Sequence, residues 1–289
     1  MGIATYIAPI VLGLIMFGLG LGLTANDFIR VIQQPKNFVV GFICQLIILP
    51  VVALILVLIF RNYIDLSIEL ALGVMIIASV PGGVTTNVMT KFAKGDVGLS
   101  ISLTAVISLI SIITVPFIIL NSAKMLGISI ISEEITMGKI AVQMAAIVTI
   151  PVILGMIVRK YAEKFITSNI SIVEKTTSIL FLIIFIGVWI EERDNILRYV
   201  KEAGVITLVL NIAMMIIAYY IAKSFTTGMK QRKTISIECG LQNGTLALAV
   251  AKMIFNDEML NLVIVPTATY ALIMYITGFA LIFMLRKFN

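Results

Sequence analysis

Histidine is absent from all 289 residues, which removes serine–histidine hydrolases, HExxH zinc proteases and most imidazole-based metal chemistry at once. Charge is scarce as well: Asp, Glu, Lys and Arg make up 12% of the chain, against about a quarter in ordinary soluble domains. Cysteine is down to Cys44 and Cys239, each inside an apolar run, so neither a disulfide framework nor a CxxC zinc site can be assembled. What remains is 60% hydrophobic, with a mean hydropathy of +1.12. A chain this apolar lies far from the composition of disordered segments. It reads as an all-α polytopic membrane protein.

A bilayer core of about 30 Å takes roughly 20 apolar residues per helix. Charge-free runs cover 1–26, 37–60, 70–90, 97–123, 140–158, 176–190, 203–222 and 259–285, and one more, 234–251, is broken only by Glu238. That predicts nine transmembrane helices. The first reads as a span, not as a removable signal, because no basic segment precedes it. The sixth is the shortest and is predicted to borrow the turn carrying Glu174 and Lys175. With the N-terminus outside, 14 of the 21 basic residues fall in cytoplasmic loops or the cytoplasmic C-terminal tail, the positive-inside pattern of an inner cell membrane protein. The net charge of +6 is therefore topological and calls for no nucleic acid partner.

Two spans carry more than lipid-facing side chains. The third has Ser79-Val80-Pro81-Gly82-Gly83-Val84-Thr85-Thr86-Asn87 at its middle. Proline removes an N–H and clashes with the preceding turn, and glycine frees the backbone, so a break is predicted with Thr85, Thr86 and Asn87 as caps of a new half-helix. The plainer alternative is a proline kink with glycines for close packing. The eighth span has Glu238-Cys239-Gly240-Leu241-Gln242-Asn243-Gly244-Thr245. A carboxylate at mid-membrane costs about 3 kcal/mol on insertion scales. The plainer alternative here is that Glu238 snorkels to the interface beyond Lys233. Leu246–Ala251 continues as an apolar half-helix.

The two breaks lie five spans apart, so they run in opposite directions, as in an inverted five-helix repeat whose first helix is missing. Paired interrupted helices at matching positions point to a transport site. Half-helix N-termini at Thr85 and Asn243 direct positive dipole ends to one cavity and suit an anion. Carbonyls, hydroxyls and Glu238 suit a small hard cation. Together they describe a secondary symporter.

The same residues carry a family resemblance. Pro81-Gly82-Gly83, then Thr86-Asn87-Val88-Met89-Thr90, Ala93-Lys94-Gly95-Asp96-Val97 and Leu99-Ser100 resemble the PGG…SNVMT…ARGNVALS segment of the bile acid:sodium symporters, bacterial members especially. Glu238-Cys239-Gly240-Leu241-Gln242-Asn243 is similar to that family's E-x-G-x-Q-N. Ile15-Met16-Phe17-Gly18 with Leu23, and Gln45 followed by Pro50, fit as well, so matches run from about Gly13 to Gly278.

The resemblance implies one transmembrane domain over 1–289. Core helices at about 37–123 and 203–285 would move against panel helices at about 3–24, 139–158 and 171–190. It implies two sodium ions as the only cofactors. Carried over by position, the first site is Thr86, Asn87, Ser100, Thr104 and Glu238; the second is Gln45, Glu238, Gln242 and the carbonyls of Cys239 and Leu241. Substrate would face Val84, Thr85 and Asn243. Thr86 replaces the family's usual serine and Val84 a common threonine. Met274-Tyr275-Ile276-Thr277-Gly278 stands where several members have His-Asn before Ser-Gly, so the identity of the substrate does not carry over. The expected activity is sodium-coupled symport of an organic anion, bile-acid-like or a small carboxylate such as pantoate. The alternative is a sodium/proton exchanger titrating Glu238 without organic cargo. An intramembrane enzyme lacks both the histidine and the second membrane aspartate that it would need.

Overall fold

The structure is a computed structural model describing residues 3–33, 35–127, 136–191, 196–226, 228–255 and 257–286; within these, the side chains of 3–9, Arg30, Val84, Glu174, most of 181–199, Asp257 and Glu258 lie outside the description. All regular structure among the described residues is helical: α1 (Ile3–Gly22), α2 (Ala25–Gln33), α3 (Pro35–Ile43), α4 (Leu49–Ile64), α5 (Ile68–Ser79), α6 (Val84–Phe92), α7 (Val97–Met125), α8 (Met137–Met144), α9 (Ile150–Tyr161), α10 (Glu163–Glu191), α11 (Ile196–Phe225), α12 (Met229–Gly240), α13 (Gly244–Ile254) and α14 (Asp257–Leu285). Two π turns, Cys44–Ile48 and Ala145–Thr149, join α3 to α4 and α8 to α9 into continuous rods. In both, a proline follows within two residues, Pro50 and Pro151. The residue before each proline bonds one position further back than usual, Leu49 to the Cys44 carbonyl and Ile150 to that of Ala145. The wider turn gives the proline ring room without breaking the rod.

Among the described residues, Pro35–Ile64, Val97–Met125, Met137–Tyr161, Val200–Phe225 and Met259–Leu285 are long and apolar enough to cross a bilayer, and a sixth counts if Ile10–Gly22 and Ala25–Gln33, bent by 76°, are one span. Their outward faces carry exposed large apolar residues such as Ile55, Ile113, Phe117, Ile216 and Phe279. In water such a surface would aggregate; in lipid it is the ordinary exterior. The chain is a polytopic helical membrane protein.

Two elements are enclosed instead. Every residue of α5 from Leu70 to Ser79 is buried, and so is every residue of α12 from Lys233 to Gly240. The helix α5 packs on α4, α7 and α14, and α12 packs on α11, α7 and α6. Elsewhere α1 lies along α9 and α10, with their backbones in contact. A Cβ built on Gly20 would stand 2.2 Å from the Val152 carbonyl oxygen, and one on Gly155 would stand 2.3 Å from that of Phe17. Small residues are what allow such an approach where lipid supplies no hydrophobic drive between helices.

The broken third span is observed as α5 and α6 separated by Val80–Gly83, so the kinked-helix alternative falls. Its cap differs from expectation. Gly83, with extended φ −119 and ψ −178, is the N-cap of α6 and offers no side chain, while Thr86 turns back to the Gly83 carbonyl at 2.7 Å. The sixth helix is also longer than its charge-free run: α10 starts at Glu163, because charged residues that project beyond an apolar layer do not end a helix. Lastly, α2 is a separate amphipathic helix capped by Asp27, whose carboxylate accepts from the Thr24 N–H at 2.7 Å.

Gly20→Val is expected to force α1 off α9. Overpacking of this kind costs about 1–3 kcal/mol, so the detergent-solubilised variant should melt below wild type, whereas Gly138→Ala, in open space, should not. An unchanged melting temperature for Gly20→Val would contradict the backbone contact.

Candidate functional site

The two breaks meet. The Asn243 N–H donates to the Pro81 carbonyl at 2.9 Å, tying the second break to the first. Asn243, 8% exposed, also caps α13 by accepting from the Leu246 N–H at 3.0 Å. At the other end of α6 the chain returns to α12: the Asp96 N–H reaches Thr234 Oγ1 at 2.8 Å. The C-terminus of α6 and the N-terminus of α12 therefore share one side of the crossing.

Glu238 sits at this crossing, 1% exposed, so it does not snorkel. Ser100 Oγ donates to Glu238 Oε2 at 2.7 Å and is also 2.8 Å from Asn87 Oδ1. Thr104 Oγ1 donates to Glu238 Oε1 and lies 3.4 Å from Thr86 Oγ1. All five residues carried over to the first cation set thus form one hydrogen-bonded cluster. Gly82 lets the carboxylate in: a Cβ there would stand 2.6 Å from Glu238 Oε1. One hydroxyl proton on Ser100 faces two acceptors, and Thr86 spends its own on Gly83. The cluster has more acceptor oxygens than protons, and its hydrogen-bond partners are neutral. A hard cation takes oxygen ligands, and an oxygen-lined cluster of this kind is chemically suited to one.

The second set assembles beside it. Gln45 Nε2 donates to Gln242 Oε1 at 2.6 Å and to the Val80 carbonyl at 3.2 Å, and Gln242 Nε2 donates to the Cys239 carbonyl at 2.9 Å. Gln45 is 2% exposed, and its Oε1 has no partner among the described residues. Leu241 is buried between Gln242 and Gly240, at the C-cap of α12. Glu238, shared by both sets, turns its carboxylate oxygens to the first. Among the described residues no cluster of three His, Cys, Asp or Glu exists, so any cation here is held by neutral oxygens and one carboxylate.

Of the expected substrate-facing residues, Thr85 and Asn243 line a void of only 30 Å³ together with Gln242, Thr177 and Tyr275; the Val84 side chain lies outside the description. A larger cavity of 450 Å³ opens on the side where α6 ends, between α1, α6, α7, α9 and α10. Sequence reasoning missed the residues that brace the second break. Asn211 Nδ2 at 2.7 Å and the Tyr270 hydroxyl at 2.8 Å both donate to the Gly240 carbonyl, and Thr277 in turn donates to Asn211 Oδ1. The signal was present: Asn211 is the lone amide in an otherwise apolar span.

The sodium bile acid symporter family model matches residues 9–199. The Bacillus subtilis protein named as sodium-dependent transporter YocS is 30% identical over 93% of this chain and 79% of its own length. The rice chloroplast protein named as sodium/metabolite cotransporter BASS2 is 28% identical over 93% of this chain, which spans 61% of that protein. The human ileal sodium/bile acid cotransporter is 26% identical over 96% of this chain and 77% of its own length. These relatives are transporters, not enzymes.

Asn211→Leu leaves the Gly240 carbonyl with the Tyr270 hydroxyl as its donor, and loss of one buried hydrogen bond costs about 0.5–1.5 kcal/mol. Thermal unfolding should show a larger fall for Asn211→Leu than for Thr277→Val; equal stability of Asn211→Leu and wild type would contradict the bracing role. The chain belongs to the sodium bile acid symporter family, a family of sodium-dependent membrane transporters.

Proposed function

We propose that this protein is a sodium-coupled symporter of an organic anion, multi-pass in the inner cell membrane and working by alternating access. The observation that carries the reading is Glu238: a carboxylate 1% exposed, met by neutral hydroxyls only among the described residues, where two broken helices cross. An ion taken out of water carries a penalty of several kcal/mol unless it is compensated. A sodium ion among Thr86, Asn87, Ser100, Thr104 and Glu238 compensates it. A second, beside Gln45, gives the orphaned Oε1 an occupant, with Gln242 and the Cys239 and Leu241 carbonyls completing the set.

In this reading the chain crosses nine times, as α1, α3–α4, α5–α6, α7, α8–α9, α10, α11, α12–α13 and α14. It is an inverted five-helix repeat without its first member, the N-terminus is outside and the C-terminus is cytoplasmic. The extensive packing of α1 on α9 and α10 supports a panel of these helices, and the mutual packing of α5, α7, α11, α12 and α14 supports a core. The cavity beside α6 then faces the cytoplasm, and the small void at Thr85 and Asn243 is the closed outward side. Sodium bound in the core would neutralise Glu238 and favour the anion in the adjoining space. Such coupling between sites is typically worth about 1–3 kcal/mol. The relatives' cargoes, bile acids and metabolites by name, make bile-acid-like anions or small carboxylates the first to assay. They also weigh against a proton exchanger without organic cargo.

The test is uptake of radiolabelled taurocholate and pantoate into proteoliposomes under an inward sodium gradient, with potassium replacing sodium as control. Sodium should accelerate uptake of at least one anion, and Glu238→Gln should abolish the acceleration while Thr104→Ser keeps it. Uptake indifferent to sodium would contradict the proposal, and proton flux on a sodium jump without anion uptake would favour the exchanger.

A further inference from the structure

Between Glu238 and the start of α12 lies a second polar cluster that neither sodium set uses. It fastens the corner between α6 and α7 to the first turns of α12. Thr234 is fully buried, and its hydroxyl works in both directions. It accepts from the Asp96 N–H at 2.8 Å and donates toward the Lys230 carbonyl at 2.9 Å and the Asp96 carbonyl at 3.3 Å. Gln231 Nε2 donates to Asp96 Oδ2 at 2.9 Å, while Asp96 Oδ1 caps α7 by accepting from the Leu99 N–H at 3.1 Å. Gly95 gives Thr234 its room, since a Cβ there would stand 2.7 Å from Thr234 Oγ1.

This contact lies one helical turn before the carboxylate. Asp96, the N-cap of α7, precedes Ser100 by four residues, and on α12 Thr234 precedes Glu238 by four. Residues at i and i+4 share a helix face. The Asp96–Thr234 rung is therefore followed on both helices by the Ser100–Glu238 rung, and Thr104 meets the same carboxylate a turn beyond. A slide of α12 along α7 would carry Glu238 past its two hydroxyl partners, and the bonds of Thr234 and Gln231 to Asp96 oppose it. A helix rises about 1.5 Å per residue, so a slip of a single residue exceeds the ~0.5 Å within which a binding constellation has to be held.

We propose that Thr234 is a positioning residue for the Glu238 cluster: it sets the axial register of α12 against α7 and so holds the carboxylate between the Ser100 and Thr104 hydroxyls, with Gln231 on the Asp96 carboxylate as the outer half of the same fastening. Thr234 touches no ion; it acts through the helix. The consequence for sodium rests on the transport reading above, whereas the register rests on the hydrogen bonds alone.

Purified full-length protein is titrated with sodium chloride at constant ionic strength, potassium making up the balance, and the melting temperature is followed for wild type, Thr234→Val, Thr234→Ser and Ser236→Ala. Ser236 is the control because it is equally buried on the same helix, but its hydroxyl donates to the Met215 carbonyl of α11 at 2.7 Å. Loss of a buried hydrogen bond lowers the melting temperature in potassium whichever of the two is changed. The sodium concentration at which stabilisation sets in follows instead the dissociation constant of the site. That onset should rise at least about tenfold in Thr234→Val, the scale on which loss of ligand-orienting partners weakens ion sites. It should return close to wild type in Thr234→Ser and stay at wild type in Ser236→Ala. Should Thr234→Val not fold, Gln231→Leu takes its place, with a smaller rise in the same direction. A wild-type onset in the folded variant overturns the positioning role, and so does an equal rise in Ser236→Ala, which would mean that any loosening of α12 weakens the site. In both cases wild type still answers sodium and the symport reading stands. A wild type that does not answer sodium removes the symport reading, and this role with it.

Discussion

Breaking two helices in an apolar interior frees backbone carbonyls that no water will satisfy, and each such group left unpaired costs several kcal/mol. The organisation of the crossing follows from that constraint. Gln45 serves the Val80 carbonyl, the Asn243 N–H serves Pro81, Thr86 serves Gly83, Gln242 serves Cys239, and Asn211 with Tyr270 serves Gly240. The buried amide side chains of Gln45, Asn211, Gln242 and Asn243 all lie at the interrupted backbone. Two of the freed carbonyls have a second donor: that of Gly240 is shared by Asn211 and Tyr270, and that of Gly83 also accepts from the Thr86 N–H.

Glu238 adds the charge to this frame. Its hydroxyl partners are those of α7, Ser100 and Thr104 at i and i+4, so the unbroken helix supplies the donors and the broken one the carboxylate. Close packing at Gly82 brings the first break against the carboxylate. The hydroxyls of this cluster are the partners that meet the carboxylate among the described residues, and in the proposed function a monovalent cation compensates its charge.

The breaks were legible because proline and paired glycines act locally on the backbone. Glu238 was legible because a carboxylate in an apolar run is expensive. The N-cap of α6 was not, since Thr85, Thr86 and Asn87 all suit the role by side chain, whereas the observed cap, Gly83, is selected by the extended backbone that the crossing imposes. The extent of α10 was hidden by Glu163 and Lys164, which a window of apolar residues leaves out although the helix includes them. Asn211 was passed over for the opposite reason: one amide in an apolar span acquires meaning only when a carbonyl from another helix, here Gly240, is brought to it. The cavity beside α6 depends on how α1, α6, α7, α9 and α10 stand in space, which no periodicity along one helix encodes.

The central claim is that the Glu238 cluster binds sodium. It is tested most directly by thermal unfolding of purified protein in sodium and in potassium at equal ionic strength, for wild type and Glu238→Gln. A ligand at 100 times its dissociation constant adds about 2.7 kcal/mol to the folded state. The account predicts that sodium raises the melting temperature of wild type and leaves Glu238→Gln unmoved. A wild type equally stable in both salts would contradict it.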